Sequence, residues 1–300
     1  MLEPAPAATF FHSLPGSPAQ LREQFLRDGF LVLPSFCSEQ ACTLLRQRMT
    51  ELCEAWDPGT LLSCFSTHEQ SRVIDDYFLA SGDRIHFFFE PASLTSDGQL
   101  RLPKRQALNK VGHALHVLDP VFARFSQAPE LSALAQLLGL TDPRLLQSMY
   151  IFKSAGVGGE VVSHQDATFL YTDPPTCLGL WFALQEATLE NGCLWVLPGG
   201  HRGPLRRRFV RRAEGGTGFV ELDATPIDES QMVPVPVPRG SLVVLHGLLP
   251  HRSSANLSAY SREAYTLHFV ERAASYPENN WLRPATDSSS FPSRNYCGPR

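Results

Sequence analysis

The run LGLWFALQE, residues 178–186, is one of five short apolar or alternating segments in the second half of this 300-residue chain. The other four span residues 148–153, 194–197, 241–246 and 263–270. Gly, Pro and Asn separate the segments, as at Asn191-Gly192. Many short strands divided by turn residues are typical of a sandwich or barrel. The pattern therefore predicts a mostly β fold with flanking helices, and it disfavours a parallel α/β sheet.

The first half of the chain is predicted to be helical with a few strands. Phe30-Leu31-Val32-Leu33 follows the turn signal Asp28-Gly29 and predicts a short strand. Ser38 is a good N-cap for a helix that continues to about Trp56. We expect residues 1–20, rich in Pro and Ala, to be a flexible lead-in. Residues 21–300 are expected to form one domain, with a helical and strand part to about 146 and the β core from about 147.

Composition restricts the possible partners and compartments. A net charge of −4 argues against nucleic-acid binding, and no apolar run approaches the roughly 20 residues of a membrane span. The seven cysteines are scattered and form no C-x-x-C pair, which suits reduced thiols. The N-terminus has no secretory pattern, and Gly298-Pro299-Arg300 is not a peroxisomal address. A cytoplasmic or nuclear location is expected.

His164-Gln165-Asp166 is the main candidate for a metal site. On a β-strand, side chains two residues apart point to one face, so His164 and Asp166 would meet in one cavity. A histidine and a carboxylate are two of the three ligands of the facial triad that binds non-haem Fe(II). By itself the motif is also compatible with a surface pair that binds no metal. A third ligand could be His201, His246, His251 or His268.

His251 is the best-placed third ligand. It precedes a predicted hairpin loop, residues 256–261, and Arg262 lies beyond that loop. If the hairpin pairs His251 with an even-numbered residue, Arg262 shares its face. A guanidinium there would suit a carboxylate, which arginine binds through two parallel hydrogen bonds.

Several short motifs follow one another along the chain. They are NKVGHAL (109–115), QSMYIF (147–152), HQD (164–166), ENGCLW (190–195) and PGGH (198–201), followed by His251, Ser253 and Arg262. This ordered series resembles the phytanoyl-CoA dioxygenase family of Fe(II)/2-oxoglutarate oxygenases. The similarity extends from about residue 21 to about residue 284. A single motif would be weak evidence, whereas the whole series in this order is specific.

The resemblance implies a double-stranded β-helix, or jelly-roll, core. It implies that His164, Asp166 and His251 hold iron, and that Arg262 and Ser253 bind the distal carboxylate of 2-oxoglutarate. Lys110, Met149 and Trp181 match positions that line the co-substrate pocket in the family. The implied reaction uses O₂, converts 2-oxoglutarate into succinate and CO₂, and hydroxylates a small organic substrate, with ascorbate supporting activity. Related halogenases lack the carboxylate at the position of Asp166, so its presence favours hydroxylation.

Other interpretations remain open at this point. The chain could be a catalytically silent 2-oxoglutarate sensor, or it could hydroxylate a protein side chain. His113 and His116 are three residues apart, but no third ligand accompanies them, so we expect a structural role. The arginines of residues 202–212 predict either a solvated, mobile loop or an electropositive rim for an anionic substrate. Neither the substrate nor the oligomeric state follows from the sequence.

Overall fold

The computed structural model describes residues 10–59, 63–65, 76–96 and 99–283. Within these residues the helices are α1 (Pro18–Asp28), α2 (Glu39–Ala55), α3 (Asp76–Leu79), α4 (Lys104–Ala107), α5 (Leu115–Leu118), α6 (Pro120–Ser126) and α7 (Pro129–Leu137). The first seven strands are β1 (Phe30–Leu33), β2 (Ile85–Phe89), β3 (Leu108–His113), β4 (Pro143–Ile151), β5 (Val161–His164), β6 (Leu178–Ala183) and β7 (Leu194–Val196). The remaining strands are β8 (Arg207–Arg211), β9 (Thr217–Glu221), β10 (Val233–Val235), β11 (Leu242–His246), β12 (His251–Ser253) and β13 (Ala264–Glu271).

Two antiparallel sheets form the core. The main sheet has seven strands in the order β1-β11-β6-β13-β4-β3-β2, and the minor sheet has four in the order β10-β7-β12-β5. One apolar cluster joins them, because Trp181 and Val243 of the main sheet pack with Leu194 and Val235 of the minor sheet. This is the predicted double-stranded β-helix. The five segments used to predict it correspond to β4, β6, β7, β11 and β13.

The opposite face of the main sheet packs against the helices. Alternate residues of a strand point to opposite faces, so Tyr265 and Leu267 of β13 enter the large core that also contains Leu45 of α2 and Phe122 of α6. Ser38 caps α2 as predicted, since its side chain accepts a hydrogen bond from the Ala41 N–H. The helices therefore support one face of the sheet and leave the other face for the site.

Packing begins before residue 21, where the sequence predicts the start of the domain. Phe10 and Phe11 are buried, and the Phe11 ring stacks on Phe36 with centroids 5.1 Å apart. α1 already begins at Pro18, capped by Ser17. Aromatic rings bury a large apolar area, which fixes this part of the Pro/Ala-rich lead-in against the core. Residues 1–9 of the lead-in lie outside the described residues.

The basic stretch near residue 207 forms a strand, so the prediction of a mobile loop is wrong. β8 pairs with β9 along five residues on each side. Phe209 is buried between the arginines, and Arg211 donates to the Trp281 and Leu79 carbonyls at 2.8 Å. Arg206 forms an ion pair with Asp223 at 2.7 Å. An apolar anchor and these contacts hold the segment in place.

Six cysteines lie within the described part of the chain, and none of them forms a disulfide there. Cys297 falls outside it. In the same part of the chain, none of the helices combines the length and the apolar character that crossing a membrane would require.

Candidate metal centre

Two histidines and a carboxylate meet at the end of the minor sheet. His164 is the last residue of β5, His251 is the first of β12, and the two face each other in the antiparallel register. Asp166 Oδ1 lies 3.7 Å from His164 Nε2 and 3.6 Å from His251 Nε2. One potential ligand atom from each of these residues lies within 4.8 Å of the others. The structure thus brings together the three side chains that are predicted to be metal ligands.

Asp166 reaches this position differently from the prediction. It begins a 3₁₀ turn, Asp166–Thr168, and so does not continue the strand that ends at His164. The side chain of Gln165 donates to the Leu248 carbonyl at 2.8 Å, and the Ala167 N–H donates to the Gly247 carbonyl at 2.9 Å. These bonds to the segment after β11 turn the chain, and the turn carries the carboxylate to the histidines.

Hydrogen bonds fix the tautomer of both histidines. His164 Nδ1 lies 2.9 Å from the Val162 carbonyl oxygen, and His251 Nδ1 lies 3.0 Å from that of Leu249. A carbonyl oxygen only accepts, so each Nδ1 carries the proton and each Nε2 presents a lone pair. Metal-binding histidines are oriented in this way in proteins. Two such nitrogens and one carboxylate oxygen fit the donor set for non-haem iron.

The carboxylate of Asp166 is buried and anionic. Burial by itself would raise the pKa of this carboxyl, but the neighbouring His251, His268 and His164 outweigh that effect and hold the pKa below its usual value. His268 lies on the side away from the other two rings, with its Nε2 3.4 Å from Asp166 Oδ2. The two oxygens of one carboxylate therefore face different histidines.

The other candidate third ligands make separate contacts. His201 Nε2 lies 3.2 Å from the Leu26 carbonyl oxygen, and the Leu248 N–H is 3.1 Å from His246 Nδ1. Burial lowers the pKa of His246 to about 4. Within the described residues, His164, Asp166 and His251 are the one group that could hold a metal ion. His113 Nδ1 contacts Ser81 Oγ at 2.8 Å, in keeping with the structural role expected for it.

The predicted hairpin between His251 and Arg262 is wrong, because β12 and β13 belong to different sheets. Arg262 is nevertheless almost fully buried, at 1% exposure, and its backbone N–H donates to the Lys153 carbonyl. Its guanidinium lies 5.2 Å from the centroid of the Trp181 ring. The Nε and Nη1 atoms have no hydrogen-bond partner among the described residues.

Arg262 has the properties of a receptor for an anion. Burial lowers its pKa to about 10, so the guanidinium is still charged at neutral pH. A buried cation with unused donors carries a large desolvation cost. A bound carboxylate would offset this cost through charge-assisted hydrogen bonds. The site therefore fits the distal carboxylate of 2-oxoglutarate.

Three of the remaining predicted contacts, Lys110, Met149 and Trp181, lie on the face of the main sheet that meets the minor sheet. Met149 is opposite Gly112 on one side and Thr266 on the other, and Thr266 is opposite Trp181, so their side chains share one face. Lys110 precedes Gly112 by two residues and shares it too. Lys110 Nζ lies 3.2 Å from the Phe65 ring centroid. Register alone thus aligns three of the predicted residues.

A cavity of about 170 Å³ opens onto this face. Lys110, Met149, His164 and Asp166 are on its wall, together with aromatic rings such as Phe169 and Trp281. The other predicted residues are not on the wall itself: His251, Trp181, Ser253 and Arg262. Ser253 is buried in β12 opposite Leu194. His164 and Asp166 therefore border the cavity, whereas Arg262, Ser253, Trp181 and His251 lie behind its wall.

Sequence reasoning missed two residues of this region. Lys153 is buried, and its Nζ donates to the Gly159 carbonyl at 2.9 Å and to the Ser254 carbonyl at 2.5 Å. Burial, with Arg262 nearby, lowers its pKa to about 6. No sequence signal points to Lys153. His268 is among the predicted alternatives for the third ligand, but the sequence does not predict its contact with Asp166; its even number in β13 places it on the same face as Thr266.

Comparisons with known proteins identify the family. The family model described as phytanoyl-CoA dioxygenase (PhyH) matches residues 25–264. Phytanoyl-CoA dioxygenase domain-containing protein 1 of Bos taurus is 47% identical over 287 residues, which cover 92% of this chain and 97% of that protein. The resemblance found in the sequence is confirmed.

Solved structures share the fold at lower identity. The epimerase SnoN, solved in complex with Fe³⁺, alpha ketoglutarate and nogalamycin RO, superimposes with a TM-score of 0.62 at 18% identity. That match covers 92% of this chain and 93% of SnoN. EctD from S. alaskensis, solved with bound Fe, gives a TM-score of 0.58 at 20% identity and covers 91% and 86% of the two chains. At these identities the comparison establishes the jelly-roll fold.

Proposed function

The chain belongs to the phytanoyl-CoA dioxygenase family, and from this membership we propose that it is an Fe(II)- and 2-oxoglutarate-dependent dioxygenase that hydroxylates a small organic substrate. The observation that carries the proposal is the preset donor group. His164 and His251 each present Nε2, and Asp166 presents Oδ1 beside both nitrogens. Bound iron and 2-oxoglutarate would supply O₂ activation coupled to oxidative decarboxylation of the keto acid to succinate and CO₂.

The protein would bind the co-substrate through the buried part of the site. Arg262 would pair with the distal carboxylate, and Ser253 would lie beside it. Trp181 supports this arrangement, because its ring packs against the guanidinium and limits the directions in which it can point. Lys110 and Met149 would border the co-substrate from the cavity wall.

The cavity wall supports a small substrate with an apolar body. Phe169, Phe209 and Trp281 contribute aromatic surface, which favours apolar groups and keeps bulk water away from the reacting atoms. Lys110 and Arg207 add positive charge to the same wall, which favours an anionic group on the substrate. We propose no nucleic-acid or membrane partner.

The proposal is tested by succinate formation. Purified protein with Fe(II), O₂, ascorbate and 2-oxoglutarate should produce succinate, slowly if the true substrate is absent. His164→Ala and Asp166→Ala should abolish this activity, whereas Leu257→Ala, at a side chain 86% exposed, should not change it. Wild-type protein that is fully metallated but forms no succinate would overturn the enzyme proposal.

The succinate assay also tests the alternative that the protein is a catalytically silent 2-oxoglutarate sensor. A sensor would need the region around Arg262 and could also use the metal, so the donor group alone does not separate the two functions; membership of a dioxygenase family is what disfavours the sensor. Tight 2-oxoglutarate binding without turnover would be its signature.

A further inference from the structure

His268 contacts the metal-binding carboxylate without belonging to the donor group. It lies on β13, is 5% exposed, and contributes to the cavity wall. Its Nε2 is 3.4 Å from Asp166 Oδ2, whereas His164 and His251 approach Oδ1. The carboxylate is thus held between two nitrogens on one side and one on the other.

The surroundings of His268 indicate which ring nitrogen carries the proton. Nδ1 is buried and has no hydrogen-bond partner among the described residues. A proton there would be a buried donor without an acceptor, whereas a proton on Nε2 points at the anionic Oδ2. The neutral ring therefore favours the Nε2–H tautomer, and that N–H is directed at Asp166.

The main sheet is shaped to allow this contact. His268 is opposite Gly179 in the register of β13 and β6. A Cβ at position 179 would lie 2.8 Å from Asp166 Oδ2 and 3.6 Å from His268 Nε2. The absence of a side chain at Gly179 leaves the space in which carboxylate and imidazole meet.

We propose that His268 is a positioning residue that makes Asp166 a one-oxygen ligand. This inference depends on the metal site of the proposed function. A carboxylate can bind a cation through one oxygen or through both. By holding Oδ2, His268 leaves only Oδ1 for the ion, so the carboxylate occupies one coordination position. Without His268, rotation about the Cβ–Cγ bond would let Oδ2 approach as well and take a position that a chelating keto acid needs.

Two variants separate hydrogen bonding from packing. His268→Gln keeps a side-chain N–H donor of similar reach, whereas His268→Phe keeps a ring and removes the donor. Leu267→Val is the matched control. Leu267 precedes His268 on β13, but its side chain points into the large core between the main sheet and the helices and not into the site. Thermal unfolding of each metal-free protein shows whether it is folded.

The measurements use Co(II) as the probe and need no turnover. Co(II) affinity and visible absorption report the number of ligands, and titration of 2-oxoglutarate into the Co(II) protein reports the positions still open. Removing a group that orients a metal ligand typically costs about 10- to 100-fold in metal affinity or activity. We expect His268→Phe to change the Co(II) spectrum and to weaken 2-oxoglutarate binding by about 10-fold or more. His268→Gln and Leu267→Val should stay within about 3-fold of wild type on the same scale.

Two results would overturn the inference. One is a His268→Phe protein with wild-type spectrum and wild-type 2-oxoglutarate affinity. The other is a folded His268→Gln protein as impaired as His268→Phe, since the donor would then not be the reason. Failure of wild-type protein to bind Co(II) would instead remove the metal site itself, so the two proposals fail in different ways.

Discussion

Substitution of Gly179 by alanine should disturb the candidate metal centre while leaving the fold nearly intact. The added Cβ would lie 2.8 Å from Asp166 Oδ2, about 0.6 Å short of the 3.4 Å at which ordinary contact begins. Oδ2 is the far end of a side chain, so the carboxylate can move aside. We therefore expect Asp166 to rotate or shift, and β6 to keep its place in the sheet.

The size of the effect follows from that displacement. Functional sites tolerate misplacement of about 0.5 Å, so a shift of this order should weaken metal binding. Changes next to a metal ligand typically cost about 10- to 100-fold in affinity, which corresponds to about 1.4 to 2.7 kcal/mol. Stability of the metal-free protein should change by less than about 1 kcal/mol, since alanine is favoured over glycine inside a strand.

The assay combines metal titration with urea unfolding of the metal-free protein. Leu180→Val is the matched control, because Leu180 is the next residue of β6 but packs into the large core between the main sheet and the helices. It should lose about 1 kcal/mol of stability, as for other removals of one buried methyl group, and keep its metal affinity. Wild-type metal affinity in Gly179→Ala, or a parallel loss of affinity and fold, would refute the reasoning.

Three further predictions concern buried ionisable side chains. Arg262→Leu should weaken 2-oxoglutarate binding by about 100-fold, because the guanidinium donors would pair with its carboxylate. The melting temperature of the ligand-free protein should not fall, because Nε and Nη1 have no partner among the described residues. An unchanged affinity for 2-oxoglutarate in titration calorimetry would contradict this. Glu263→Gln should lower the free energy of unfolding, measured with urea, by about 3 kcal/mol, because the carboxylate binds Arg46, Arg105 and Tyr150. A loss below about 1 kcal/mol would argue against this network of contacts. Burial lowers the pKa of His116 to about 4, so the unfolded chain binds the proton more tightly. The contribution of neutral His116 to the free energy of unfolding should therefore be fully present above about pH 6.5, and about 3 kcal/mol should be lost as the pH falls to about 4. In His116→Gln the urea midpoint should change less with pH over this range.

Much of the candidate site could be predicted because its residues are close in sequence or belong to recognisable motifs. His164 and Asp166 are two residues apart, and the motif series named the distant His251 and Arg262. The strands of the second half were predictable because turn residues interrupt each apolar run. Wrong predictions arose where pairing was assumed: Asp166 lies in a turn, and His251 does not form a hairpin with the strand that follows Arg262.

The sequence by itself determined which side chains could contribute to the site and which residues of one strand point to the same face. Local alternation fixes that face, so Lys110, Met149 and Trp181 align once the strands pair. Only the tertiary structure decided the roles of His268 and Gly179. Their contact with Asp166 crosses between β13, β6 and the turn after β5, and such distances depend on sheet packing and not on spacing along the chain. The structure also decided that Arg262 is buried with unused donors, because burial of a charge is a property of everything packed around it.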